Sequence, residues 1–191
     1  MKDILVVGDS WAAAREEDTG NDEGWPMFLG VTHTHRQGVS GSTAAQWANN
    51  TEGILKQAVD TPADIVVISL LGNDARHAMS DGVVTAEELS RGLRDLRTVV
   101  KALIRQLTIV MLYADPYCGS RVQSKVAVPL LNGAVQFACG GLPVVYAITQ
   151  NWLKPRDFNG KGIHPIREGH RVIAKEIQEL IELNAGLVKG S

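Results

Sequence analysis

The chain has 191 residues, 45% of them apolar, enough for one domain with a substantial core, since single domains commonly run to about 100–200 residues; a single domain over residues 1–191 is expected. Lys plus Arg number 19 against 21 for Asp plus Glu, a net charge of -2, so no global field attracts a polyanion and nucleic acid is not an expected partner. The two cysteines, Cys118 and Cys139, are too few for a disulfide scaffold and lack CxxC zinc spacing, and both read as reduced thiols.

Ile4 to Val7 is the first strand candidate. This apolar run is far shorter than the roughly 7–15 residues of a secretory signal core, and no apolar stretch approaches the roughly 20 that span a bilayer. A cytoplasmic protein without a membrane partner is therefore expected. His33 to Gln37 is a second, weaker strand. Thr43 with Gln46 forms a capping box that opens a helix through about Val59. Asp64 to Leu70 is the strongest strand, with Ile65-Val66-Val67-Ile68 at its centre. Leu89, Leu93, Leu96, Val100, Leu103 and Leu107 recur every three or four residues behind a Thr85/Glu88 capping box, the pattern of an amphipathic helix. Thr108 to Tyr113 is the fourth strand. Arg121 to Cys139 is a helix that Pro129 and Gly133 should kink or shorten. Pro143 to Ala147 is the fifth strand, and Val172, Ile173, Ile177, Leu180 and Ile181 line one face of a last helix. Strands alternating with helices in this way predict a parallel sheet covered on both faces.

Open parallel sheets bind ligands at the carboxyl ends of their strands. The segments at those ends are Gly8-Asp9-Ser10-Trp11, Gly38-Val39-Ser40-Gly41-Ser42 and Gly72-Asn73-Asp74, and Gly162-Ile163-His164-Pro165 follows the fifth strand and leads into the last helix. Four such motifs, in this order and at these distances, resemble the SGNH (GDSL-type) hydrolase superfamily over nearly the whole chain. Gly8-Asp9-Ser10 is similar to its nucleophile block, Gly41 to its glycine block, Gly72-Asn73-Asp74 to its asparagine block and His164-Pro165 to its histidine block. The resemblance implies a flavodoxin-like three-layer α/β/α sandwich with a five-stranded parallel sheet of order 2-1-3-4-5. It also implies an oxyanion hole made by the N–H groups of Ser10 and Gly41 and the side-chain amide of Asn73.

The chemistry of these residue types agrees. A serine hydroxyl needs a base to take its proton, and His, with a pKa near 6.5, suits that task at neutral pH; Ser10 and His164 are the candidate pair. Glycine at 41 lets a backbone N–H approach a substrate closely. One position departs from the family, whose base usually stands in an Asp-x-x-His block: three before His164 is Lys161, which has no acceptor to orient an imidazole. Three readings remain: a Ser10–His164 dyad with Nδ1–H donated to a backbone carbonyl, which we favour; Asp157 folding in as the third member; or a site too poor for catalysis.

The expected activity is hydrolysis of small carboxylic O-acyl esters, including acetyl groups on carbohydrate, with no metal or other cofactor. The alternatives are a thioesterase or lysophospholipase of the same fold and a non-catalytic carbohydrate- or phosphate-binding module. Other residues have weaker claims. His33 and His35 alternate on one strand face but lack a third metal ligand. His77 reads as a solvated helix end, Arg15 to Asp18 as a polar loop, and His170 as part of the exposed face of the last helix. Trp11 is either a flat contact surface for substrate or a core anchor. The oligomeric state is not encoded in any motif.

Overall fold

The computed structural model describes residues 2–13, 24–30, 33–50, 52–74, 86–113, 122–158, 164–184 and 186, with only the backbone described over 122–128. Five strands, β1 (Ile4–Gly8), β2 (Thr34–Gly38), β3 (Ile65–Ser69), β4 (Leu107–Leu112) and β5 (Val145–Ile148), form one parallel sheet of order β2-β1-β3-β4-β5. Every residue of β1, β3 and β4 is buried, whereas the edge strand β2 is half-buried and carries His35, Arg36 and Gln37. Continuous apolar runs thus occupy the centre, where helices cover both faces, and the polar run lies at the edge.

The helices are α1 (Ala44–Ala48), α2 (Ile54–Asp60), α3 (Ala86–Ala102), α4 (Val122–Ala138) and α5 (Arg167–Leu183). Two of them differ from expectation. The single helix expected after Thr43 is broken in two between Asn49 and Gly53, where the Asn50 amide packs into the space that a Cβ on Gly53 would need. Asn side chains compete with the helix for backbone partners, and glycine removes the steric bar to the turn. Conversely, α4 runs through Pro129 without a break, with Pro129 on the exposed side. The apolar stripe of α3 buries Leu96, Val99 and Val100, but Leu107 already belongs to β4, after a turn held by Arg105 N donating to Thr108 Oγ1 at 3.0 Å. Thr85, the expected cap of α3, lies outside the described residues.

His170 corrects a further expectation. It is buried in α5, and its Nδ1 accepts from the N–H of Trp25, which opens a short 3₁₀ turn (Trp25–Phe28) packed on that helix. Among the described residues no helix is long and apolar enough to cross a membrane.

Register places the chemistry. Gly8 pairs with Gly38 on one side and Ser69 on the other, so β1, β2 and β3 end level and deliver the first three motifs to one edge of the sheet.

Candidate active site

The turn after β1 is fixed by its backbone. Asp9 N donates to Ser69 O at 2.9 Å, and Asp9 O accepts from both Ala12 N and Ala13 N at 3.0 Å. Gly8 has φ +149°, and a Cβ there would stand 2.0 Å from Ser69 O. Gly38 is equally tight, since a Cβ on it would meet Ala13 N at 2.2 Å. Two glycines therefore let the nucleophile turn fold down against both neighbouring strands. Trp11 is buried against Tyr113 and Phe158, with ring centroids at 5.2 and 6.1 Å, and its carbonyl accepts from Trp25 Nε1 at 2.8 Å. It is a core anchor, and the reading of Trp11 as an exposed contact surface is set aside.

The glycine and asparagine motifs are tied to each other and to β1. Ser42 Oγ donates to Gly8 O at 3.3 Å and accepts from Trp47 Nε1 at 3.0 Å, while Ser42 O accepts from Asn73 Nδ2 at 3.0 Å. A side-chain amide carries two N–H bonds, so this contact orients the Asn73 group and leaves it a second hydrogen to donate. Asp74 caps α1 from the neighbouring turn, both carboxylate oxygens accepting from Ala44 N at 2.9 and 3.2 Å. Burial raises the pKa of Asp74, against the pull of that N–H. Gly41 adopts φ +81° with open space where a side chain would be.

His164 reaches Ser10 across 154 positions of sequence, with Nε2 2.8 Å from the Ser10 hydroxyl oxygen. The histidine is placed by a staple. Phe158 and Pro165 form an antiparallel bridge, and Ile166 N donates to Asp157 O at 2.8 Å. Gly169, one turn into α5, permits this approach, since a Cβ there would lie 2.5 Å from Asp157 O. The carboxylate of Asp157 is occupied otherwise than expected: Oδ2 accepts from Lys154 N at 2.8 Å and Oδ1 lies 4.0 Å from Arg156 Nε. None of these contacts is to His164, so Asp157 serves the turn that precedes the staple. Asp157→Asn keeps one carbonyl acceptor for Lys154 N and should leave kcat within about tenfold of wild type, a difference near 1.4 kcal/mol. A folded variant losing a hundredfold would restore Asp157 as the partner of the imidazole. Lys161 and His77 lie outside the described residues, as do Arg15 to Asp18 and Cys118.

A buried acid lies beneath the nucleophile. Asp9 is 1% exposed, with Oδ1 accepting from Trp11 N at 3.0 Å and Oδ2 from the Tyr113 hydroxyl at 2.6 Å. Burial pushes its pKa from 3.8 up to about 6, in spite of the Tyr113, Trp11 and Gly72 donors that favour the carboxylate; nearby Asp74 pushes the same way as burial. The same burial, with the adjoining acid, raises the Tyr113 hydroxyl well above its ordinary value. Tyr113 is itself fixed from α4, where Asn132 accepts from its N–H at 3.1 Å and donates to its carbonyl at 2.8 Å. Sequence reasoning missed Tyr113, although its position at the end of β4 was a signal.

A serine and a histidine paired at one edge of a parallel sheet suit acyl transfer. The profile of the GDSL-like lipase/acylhydrolase family matches residues 6–172. The chain belongs to this family. Its fold is that of several solved structures, each at too low an identity to carry more than the fold. A lipase from a goat rumen metagenome superposes with a TM-score of 0.74 at 15% identity, covering 94% of this chain and 97% of its own. An acetylxylan esterase from Geobacillus stearothermophilus gives 0.70 at 16%, covering 100% and 95%. An α/β hydrolase from the metagenome of Lake Arreo, Spain, gives 0.70 at 17%, covering 99% and 97%. No curated protein matches the chain. Among the described residues of this GDSL-like protein, no group of three His, Cys, Asp or Glu side chains is placed to hold a metal ion.

Proposed function

We propose that this GDSL-family chain hydrolyses small carboxylic O-acyl esters, acetyl groups on carbohydrate among them, through an acyl-enzyme on Ser10. The observation that carries this reading is the 2.8 Å contact between Ser10 Oγ and His164 Nε2. With Nε2 as acceptor, His164 takes the hydroxyl proton as Oγ bonds to the acyl carbon, then returns it to the departing alcohol oxygen as the ester C–O bond breaks. Water then repeats the sequence on the acyl-serine, releasing the carboxylic acid and restoring Ser10. The N–H groups of Ser10 and Gly41 and the Asn73 amide serve the oxyanion of each tetrahedral intermediate. A backbone carbonyl at Nδ1, in place of the usual aspartate, is our reading of how the imidazole is oriented.

The substrate class is supported by a groove of about 480 Å³ that runs from Gly41 and Ser42 past Ser40, Gln46, Asn49 and Asn50. Val39 and Ile54 form its apolar walls, and among the described residues no charged side chain lines it. Neutral hydrogen-bonding groups beside apolar walls suit a hydroxylated, uncharged alcohol moiety. Turnover of p-nitrophenyl esters should fall as the acyl chain lengthens beyond four carbons, and acetate should be released from acetylated sugars. A profile rising toward long acyl chains or thioesters would favour the lysophospholipase or thioesterase reading, and inertness on every ester would favour a binding module. Asn73→Ala should lower kcat by about 10²–10³ with little change in KM, because the amide meets charge that develops only in the transition state. Steady-state kinetics on p-nitrophenyl acetate checks this, and a raised KM at constant kcat would make Asn73 a ground-state contact instead.

A further inference from the structure

We propose that Asp9 is a positioning residue for Ser10, its buried carboxylate fastening the nucleophile turn to the end of β4, where the asparagine motif packs against both. The proposal builds on the esterase reading of Ser10. Two donors from two segments meet on this one group: Trp11 N at 3.0 Å, from the far side of Ser10, and the Tyr113 hydroxyl at 2.6 Å. Gly72 is part of the arrangement, since a Cβ on it would crowd both Asp9 Oδ2 and the Tyr113 ring at 3.0 Å. Residues 9 and 11 are thus pinned on either side of Ser10, and the carboxylate that pins them packs closely against the residue preceding Asn73. Packing alone would be served by an apolar side chain, and a carboxylate buried at this depth costs stability unless its hydrogen bonds are used. Among the described residues the ionisable groups that face it are Tyr113, from the end of β4, and Asp74, which follows β3; Ser69 contributes a hydroxyl 3.5 Å from that of Tyr113.

The test compares Asp9→Ala, Asp9→Asn, Tyr113→Phe and the double variant Asp9→Asn/Tyr113→Phe in the full chain. Asp9→Ala should lower kcat on p-nitrophenyl acetate at least a hundredfold with KM little changed, and Asp9→Asn, which keeps an acceptor for Trp11 N but, like the protonated acid, lacks the charge, should recover only part of that loss. Removing the Tyr113 donor disfavours the Asp9 carboxylate, so Tyr113→Phe should move the acidic limb of the kcat–pH profile to higher pH, and that shift should vanish in the double variant. Imidazole ¹⁵N shifts of His164 report its bond to Ser10 whether or not any ester turns over. The signature of a hydrogen-bonded Nε2 should be present in wild type and Asp9→Asn and absent in Asp9→Ala. An unchanged His164 signature in folded Asp9→Ala, or an acidic limb unmoved in Tyr113→Phe, overturns the proposal. Should Asp9→Ala not fold, the Tyr113→Phe comparison decides through the pH limb and the His164 shifts. A wild type inert on every ester but with its His164 signature lost in Asp9→Ala overturns only the esterase reading.

Discussion

Ser10→Ala is expected to abolish both ester turnover and stoichiometric labelling by a fluorophosphonate, with the fold intact. The hydroxyl is the only atom removed, and it lies in a turn whose shape is set by the backbone bonds of Asp9 and by Gly8. Loss of a nucleophile in this kind of constellation costs about 10⁴-fold or more in kcat. His164→Ala should cost a similar factor and slow the labelling of Ser10. Because the two side chains act as one unit, joined at 2.8 Å, the double variant should be scarcely worse than either single one. Mass spectrometry that places the label on Ser40 or Ser42 would refute the assignment.

Gly8→Ala is expected to have the largest effect on stability, above about 4 kcal/mol, and to leave little folded protein. The new methyl would stand 2.0 Å from Ser69 O and 2.7 Å from Ser69 C, both backbone atoms of a central strand that pairs with β1 on one side and β4 on the other. No side chain can rotate away to make room, and φ +149° is itself unfavourable for alanine. Gly41→Ala is the contrast. Its methyl meets nothing within 4 Å, so only the positive φ is penalised, by about 1–2 kcal/mol. Urea denaturation of the two variants separates clash from torsional strain, and equal midpoints would show that the sheet gives way around residue 8.

The strands were legible because each central one is a short apolar run, and the observed bounds differ from the expected ones by one or two residues. The four motifs were legible because each is local: Gly-Asp-Ser and Gly-Asn-Asp are contiguous, and a parallel sheet brings them together without further information. What stayed hidden depends on distant pairs. Tyr113 and Asp9 are 104 positions apart, Trp25 and His170 145, and neither pairing leaves a mark on local periodicity. His170 looked solvent-facing because histidine is polar, yet one buried N–H sufficed to take its Nδ1 inward. Asp157 looked available to His164 by proximity in sequence, but the nearer backbone N–H of Lys154 claimed the carboxylate.

The staple formed by Phe158, Pro165 and the Ile166–Asp157 bond ties together the backbone on either side of the residues numbered 159–163. The two ends of that stretch are held together by backbone contacts, which no side chain within it supplies. Lengthening a chain between two fixed ends is inexpensive in entropy, about 0.6 kcal/mol for each doubling, so an insertion between these ends costs the staple little. An engineer can therefore change the length of chain between Phe158 and Pro165 while the entry into α5 stays tied by backbone bonds on either side of it.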